Sequence, residues 1–189
     1  DWEYEQYDLG YHRSADPDHV PVSRYLRPDS QLMTAITGFD DRNMINQCLL
    51  YRYLPSYEPY NFKGRPSDFP DTVRYGKQAM ALRDDLRDWL WDATFTDTLD
   101  VSAVRADGSD HHPVSGFRRA DGRLAAVVVN YDDEPTDLRL VLDGEAAGDH
   151  QYRLVDDPTW RRVGASLALP GRSAAVVLPP DEAIAVERS

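Results

Sequence analysis

Carboxylates set among aromatic rings are the residues of this chain best suited to chemistry. The opening run Trp2-Glu3-Tyr4-Glu5-Gln6-Tyr7-Asp8 interleaves acids with aromatic side chains, and Tyr57-Glu58, followed by Tyr60 and Arg65, repeats the combination. Hydrolysis of a glycosidic bond uses two carboxyl groups flanking the scissile linkage, one kept protonated to donate to the leaving oxygen, while the C–H faces of sugar rings stack on Trp and Tyr. That chemistry makes Glu3 and Glu58 the candidate acid and base. Trp2, Glu5, Asp8, Tyr57, Tyr60 and Arg65 form the candidate sugar-binding set. Taken singly, Glu3, Glu5, Asp8 and Glu58 each also have an ordinary solvated reading, and Trp2 equally suits a domain contact.

Competing chemistries lack their residues. The sequence holds no Gly-rich phosphate loop, no His-Glu-x-x-His, no nucleophile elbow and no EF-hand pattern. The single cysteine, Cys48, excludes an internal disulfide framework and a Cys-cluster metal site, and its place in the apolar run 45–53 reads as a small buried hydrophobe. His111 and His112 read as part of a polar surface loop, since neighbouring residues of a strand point to opposite faces. No metal and no cofactor is therefore expected.

Charge narrows the partners further. A formal net charge of -12 argues against nucleic acid or an anionic membrane surface, both of which need clustered Lys and Arg, and favours a neutral or cationic ligand. No run reaches the roughly 18 apolar residues of a membrane-spanning helix, and the mean hydropathy is -0.60. Cellular compartment stays open. The chain begins at Asp1 rather than Met, and the expectation is a piece of a longer polypeptide.

The elements that must position these residues change character near Leu99. Upstream, Val22 to Leu26 reads as a short strand or helix stub, and Gln31 to Thr37 as a strand. A helix is expected from a cap at Asp40 or Asp41 through Met44, Ile45, Cys48, Leu49 and Arg52, stopping before Pro55. The clearest helix runs from about Pro70 to Trp91, with Val73, Met80, Leu82, Leu86, Trp89 and Leu90 on its apolar face and Arg83, Asp84, Asp85, Arg87 and Asp88 in solvent. Downstream, short strands are expected at 101–105, 115–119, 123–131, 136–142, 151–155, 166–169, 173–178 and 183–187, the pattern of an antiparallel sandwich. Its expected core includes Val127, Val129, Leu140, Leu154, Leu167 and Val176.

A family resemblance follows from these segments. Val22-Ser-Arg-Tyr-Leu-Arg-Pro28, Asp40-Asp-Arg-Asn-Met-Ile-Asn46, Leu50-Tyr-Arg-Tyr-Leu-Pro-Ser-Tyr-Glu-Pro-Tyr60 and Leu86-Arg-Asp-Trp-Leu-Trp-Asp92 resemble the last portion of a bacterial glycoside-hydrolase-like TIM barrel. Ala125-Ala-Val-Val-Val-Asn-Tyr131 and Leu169-Pro-Gly-Arg-Ser-Ala-Ala-Val-Val-Leu178 are similar to the β-sandwich that follows such barrels. The resemblance implies an α+β chain in two parts, a partial (β/α) barrel end over residues 1–99 and a β-sandwich over 100–189. It implies a carbohydrate substrate, barrel-end loops lining a sugar cleft, and a sandwich bracing the barrel. A whole barrel needs about 200 to 250 residues, so the 189-residue chain is expected to be inactive alone and to work joined to the rest of a longer chain. The other reading is a non-catalytic carbohydrate-binding or structural accessory module.

Overall fold

Two periodicities of burial organise the molecule, one on either side of a central sheet. The computed structural model describes residues 22–28, 30–36, 42–57 and 65–181. In chain order these form α1 (Val22–Leu26), β1 (Met33–Ile36), α2 (Arg42–Leu50), β2 (Leu54–Tyr57), a 3-10 turn (Pro66–Asp68), α3 (Pro70–Asp85), α4 (Arg87–Leu90), β3 (Thr94–Asp97), β4 (Val101–Arg105), β5 (Val114–Arg118), β6 (Leu124–Asn130), β7 (Thr136–Leu142), β8 (Glu145–Ala146), β9 (Gln151–Leu154), β10 (Asp157–Arg162), β11 (Leu167–Leu169) and β12 (Ser173–Leu178). The fold is α+β with mostly antiparallel sheets, as expected.

Strands β10-β9-β12-β6-β5-β3 make a six-stranded antiparallel sheet, and β11-β7-β4, with β8 on β7, make a second. Their facing sides share one apolar core, containing Leu138, Leu140, Leu142, Leu154, Leu167 and Leu169. In β7 the alternation is complete: Leu138, Leu140 and Leu142 are buried, while Asp137 and Arg139 are exposed. The β7–β8 hairpin closes through Asp143-Gly144, both at positive φ (52° and 80°), which is the twist a two-residue turn between right-twisted strands requires.

The central strands of the six-stranded sheet are buried on both faces, and this corrects the expected core. Val127, Val129 and Val176 point away from the second sheet and pack against α2, α3 and α4, whereas Leu140, Leu154 and Leu167 do lie between the sheets. Every residue of β6 and β12 is buried. A central strand covered on both sides carries apolar residues at consecutive positions, so its two faces cannot be told apart from the sequence.

The helical layer rests on that second face. Asn43 to Leu50 of α2 are all buried. Asn43 Nδ2 donates to the Tyr131 carbonyl at the end of β6 (2.8 Å), tying helix to sheet. The guanidinium groups of Arg119 and Arg123, from the β5–β6 hairpin, lie 4.5 and 5.6 Å from the centre of the Trp89 ring.

Several elements differ from the expected ones. The long helix ends at Asp85, with Leu86 outside helical geometry (ψ 35°) before the short α4. Its buried stripe is Thr72, Tyr75, Gly76, Ala79, Leu82 and Arg83, so Arg83 is not a solvated residue. His111 is also buried, because its N–H bonds the Ala103 carbonyl (2.8 Å) and its Nε2 lies 2.7 Å from the Val129 carbonyl. Strand β3 precedes Asp100 and already belongs to the six-stranded sheet. The strand expected at 183–187 and the caps Asp40 and Asp41 lie outside the described residues.

Candidate functional site

Parallel strands place their chemistry at their carboxyl ends, because the connecting helices occupy the faces of the sheet and the loops gather at that edge. Here β1 and β2 run parallel on either side of α2, with Met33 opposite Leu54 and Ile36 opposite Tyr57. Ile36 and Tyr57, the last residues of β1 and β2, therefore stand side by side at that edge. That edge is the candidate site.

Of the expected site residues, Tyr57 and Arg65 fall within the described part of the chain, and Trp2, Glu3, Glu5, Asp8, Glu58 and Tyr60 lie outside it. Tyr57 is half-buried and packs against the core beneath the helices. Its hydroxyl presses on the backbone of α3, where a Cβ added at Gly76 would meet the Tyr57 oxygen at 1.7 Å. Burial raises the phenol above its ordinary value, and the nearby Cys48 thiol adds to the rise, so Tyr57 is a neutral phenol at physiological pH. Arg65 stands at the entrance to α3. Its backbone N–H donates to Asp68 Oδ2 (3.0 Å), satisfying a donor at the start of the 3-10 turn, and its side chain is exposed.

The opposite edge, where the strands begin, is clamped by arginines that the sequence reading did not single out. Arg24, on α1, donates from Nε to the Tyr51 carbonyl (3.1 Å), from Nη2 to Arg52 (2.8 Å), and from Nη1 to Pro28 and Ser30 (2.9 Å each). Arg52 donates to the carbonyls of Ala93 (2.8 Å), Trp91 (3.1 Å) and Pro28. Arg83 donates to the Tyr53 carbonyl (2.7 Å) and to that of Cys48. The three guanidinium groups thus join the segments that enter β1, β2 and β3. They also satisfy carbonyls at the C-terminal end of α2, where a positive charge is favoured.

Arg52 has a second, backbone role. At φ 58° it occupies the left-handed position that ends α2. The Tyr53 N–H bonds the Cys48 carbonyl (2.8 Å) and the Arg52 N–H bonds that of Leu49 (3.4 Å), the pair of bonds of a Schellman cap. Glycine normally takes that position, because a side chain there costs roughly 1 to 2 kcal/mol. An arginine is retained where its guanidinium reaches three carbonyls. Burial, with the nearby positive charges of Arg52 and Arg24, lowers Arg83 to about 10, while the coulombic effect of Cys48 opposes the fall. Arg83 stays cationic at neutral pH.

The two edges of the parallel pair therefore divide into a clamped entry side and an exit side where β1 ends at Ile36 and β2 at Tyr57. The signal for Arg83 was present in the sequence, since residues 72, 76, 79, 83 and 86 follow helical spacing along one stripe. No protein-family model and no curated protein sequence matches the chain.

Proposed function

We propose that this chain is the closing part of a (β/α) barrel and its following β-sandwich, belonging to a glycoside hydrolase whose sugar cleft lies at the carboxyl ends of β1 and β2. One observation carries the reading: β1 and β2 form a two-stranded parallel sheet joined through a helix, and among the described residues neither strand pairs with any other. A parallel sheet is stable where strands continue on its edges and structure covers both its faces, so a two-stranded pair is a fragment of a larger sheet. The βαβα order, with a sandwich behind it, fits the last two units of a barrel.

In this reading Glu58, which directly follows β2, and Glu3 supply the acid–base chemistry. Trp2, Tyr57 and Tyr60 offer stacking faces, and Glu5, Asp8 and Arg65 offer hydrogen bonds to sugar hydroxyls. The arginine clamps act at the far edge as stabilising elements. The test is turnover of an aryl glycoside by the native full-length polypeptide. Glu58→Gln or Glu3→Gln is expected to lower kcat by about a hundredfold or more, the size of an acid–base contribution. Unchanged turnover in both variants would remove these residues from the mechanism.

A further inference from the structure

The outer face of the second sheet carries a groove of about 390 Å³ where its strand order is interrupted. Strand β4 pairs with β7 from Leu138 to Leu142, so β11, opposite Thr136 to Leu138, and β8, opposite Val141 and Leu142, share the other edge of β7. Between β11 and β8 that edge has a gap at Arg139 and Leu140, where the Ala147 N–H donates to the Leu140 carbonyl (3.0 Å). Val104 stands opposite Arg139 and Ala146 opposite Val141, and all four turn away from the inward leucines of β7. They line the groove together with Val163 and Ala165.

This lining is apolar apart from one guanidinium. Arg139 is exposed and makes no ion pair among the described residues, although Asp137 lies two positions away on the same face. Val104 and Val141 are half-buried with no layer packed over them.

The chain leaves the six-stranded sheet beside this groove. Leu178, the last residue of β12, stands opposite Gln151, and Gln151 Nε2 donates to the Pro180 carbonyl (3.3 Å). From Gln151 the backbone runs in three residues to Gly148, which lines the groove and accepts from the Gly164 N–H (3.0 Å). Four to six extended residues span roughly 13 to 20 Å, which brings positions 184 to 186 within reach of it.

We propose that residues 182–189, which lie outside the described residues, fold back over this groove, seating Ile184 and Val186 on Val104 and Val141 and setting Glu182 beside Arg139. The run Glu182-Ala-Ile-Ala-Val186 alternates with period two, so Glu182, Ile184 and Val186 share one face of an extended segment and match a groove with an apolar floor and one cation. Burial of the two aliphatic side chains supplies the holding energy, while the exposed ion pair contributes little and sets the register. The docking rests on the sandwich alone and is independent of the barrel-end reading.

The test is NMR of the isotope-labelled 189-residue chain. Amide order parameters over residues 183–187 are expected near the value of about 0.85 of rigid backbone, against less than about 0.6 for a flexible tail. The methyl groups of Ile184 and Val186 are expected to give NOEs to those of Val104 and Val141. Ile184→Ser, and separately Val141→Ser on the groove side, are expected to bring the order parameters below about 0.6 and to shift the amide signals of Val104, Arg139 and Gly148, with the rest of the spectrum unchanged. Low order parameters in the native chain, NOEs from Ile184 and Val186 to a different surface, or no response to either variant would overturn the proposal. NOEs that arise only between differently labelled copies in a mixed sample would also overturn it and assign the groove to a second copy of the chain.

Discussion

The two cores on either side of the central sheet are built on different principles. Between the sheets, Val, Leu and Ala from both layers interdigitate with Tyr152 as the one aromatic residue of the cluster. Beneath the helices the same sheet meets Tyr51, Tyr53, Tyr75, Trp89, Phe95 and Phe117, and the buried arginines Arg24, Arg52 and Arg83 all belong to this side. The first core is held by transfer of apolar area from water, which is non-directional and tolerates repacking. The second adds directional bonds to particular carbonyls, which fix where β1, β2 and β3 begin. A layer whose strands must present loops at a defined edge benefits from that second kind of restraint.

The largest expected effect breaks the polar core. Arg83→Ala removes two charge-assisted bonds and leaves the Tyr53 carbonyl buried, so denaturant unfolding should show a loss of about 3 to 5 kcal/mol. A loss below about 1 kcal/mol would contradict the clamp. On the other side of the sheet, Leu140→Ala should cost about 2 to 5 kcal/mol, while its exposed neighbour Arg139→Ala should stay within about 0.5 kcal/mol. Comparable shifts in Tm for the two would refute the β7 register.

The sandwich also holds a buried histidine that gives the comparison a pH axis. Burial, with smaller pushes from Arg105 and His112, lowers His111 from its ordinary 6.5 to about 4, against the opposing pull of the Val129 carbonyl and Asp132. Between those values the unfolded chain binds the proton that the folded chain refuses. The stabilisation from neutral His111 is therefore complete above about pH 6.5 and is lost as pH falls towards 4, by up to about 3 kcal/mol. His150, also lowered by burial, acts in the same direction. Unfolding curves across that range should converge for the native chain and His111→Asn as pH drops, and parallel curves would show that His111 titrates alike in the folded and unfolded chain, against the lowering by burial. The smallest effect sharpens packing at the exit edge. Gly76→Ala drives a methyl into the Tyr57 ring and should cost about 1 to 3 kcal/mol, with recovery in the Gly76→Ala, Tyr57→Ala double variant.

Legibility differed between the same two regions. Strands β4, β7 and β12 coincide with their expected bounds, because alternation or a short apolar run between turns is a local signal. Strand β10 escaped, since Asp157-Pro-Thr-Trp-Arg-Arg162 is charged, carries a proline and sits at a bulged edge where such residues are tolerated. Strand β3 escaped because Thr94-Phe-Thr-Asp97 lies directly behind the helices and has few apolar positions. Of the site residues expected from the sequence, Tyr57 and Arg65 fall among the described ones; the Arg65 turn is a local contact with Asp68, whereas the helix backbone against Tyr57 is brought there by a distant segment.

From the residues alone came the α+β character, the antiparallel sandwich, the buried state of Cys48 and the alternation of β7, because each depends on composition or on neighbours a few positions away. The tertiary structure decided which face of β6 and β12 meets the helices, that Arg24, Arg52 and Arg83 are buried on carbonyls, and that Asp157 and Arg161 pair on β10. Those features depend on which surfaces meet. A strand covered on both sides has no polar face to mark its orientation, and a buried cation differs from a solvated one only in the carbonyls that the rest of the chain brings to it.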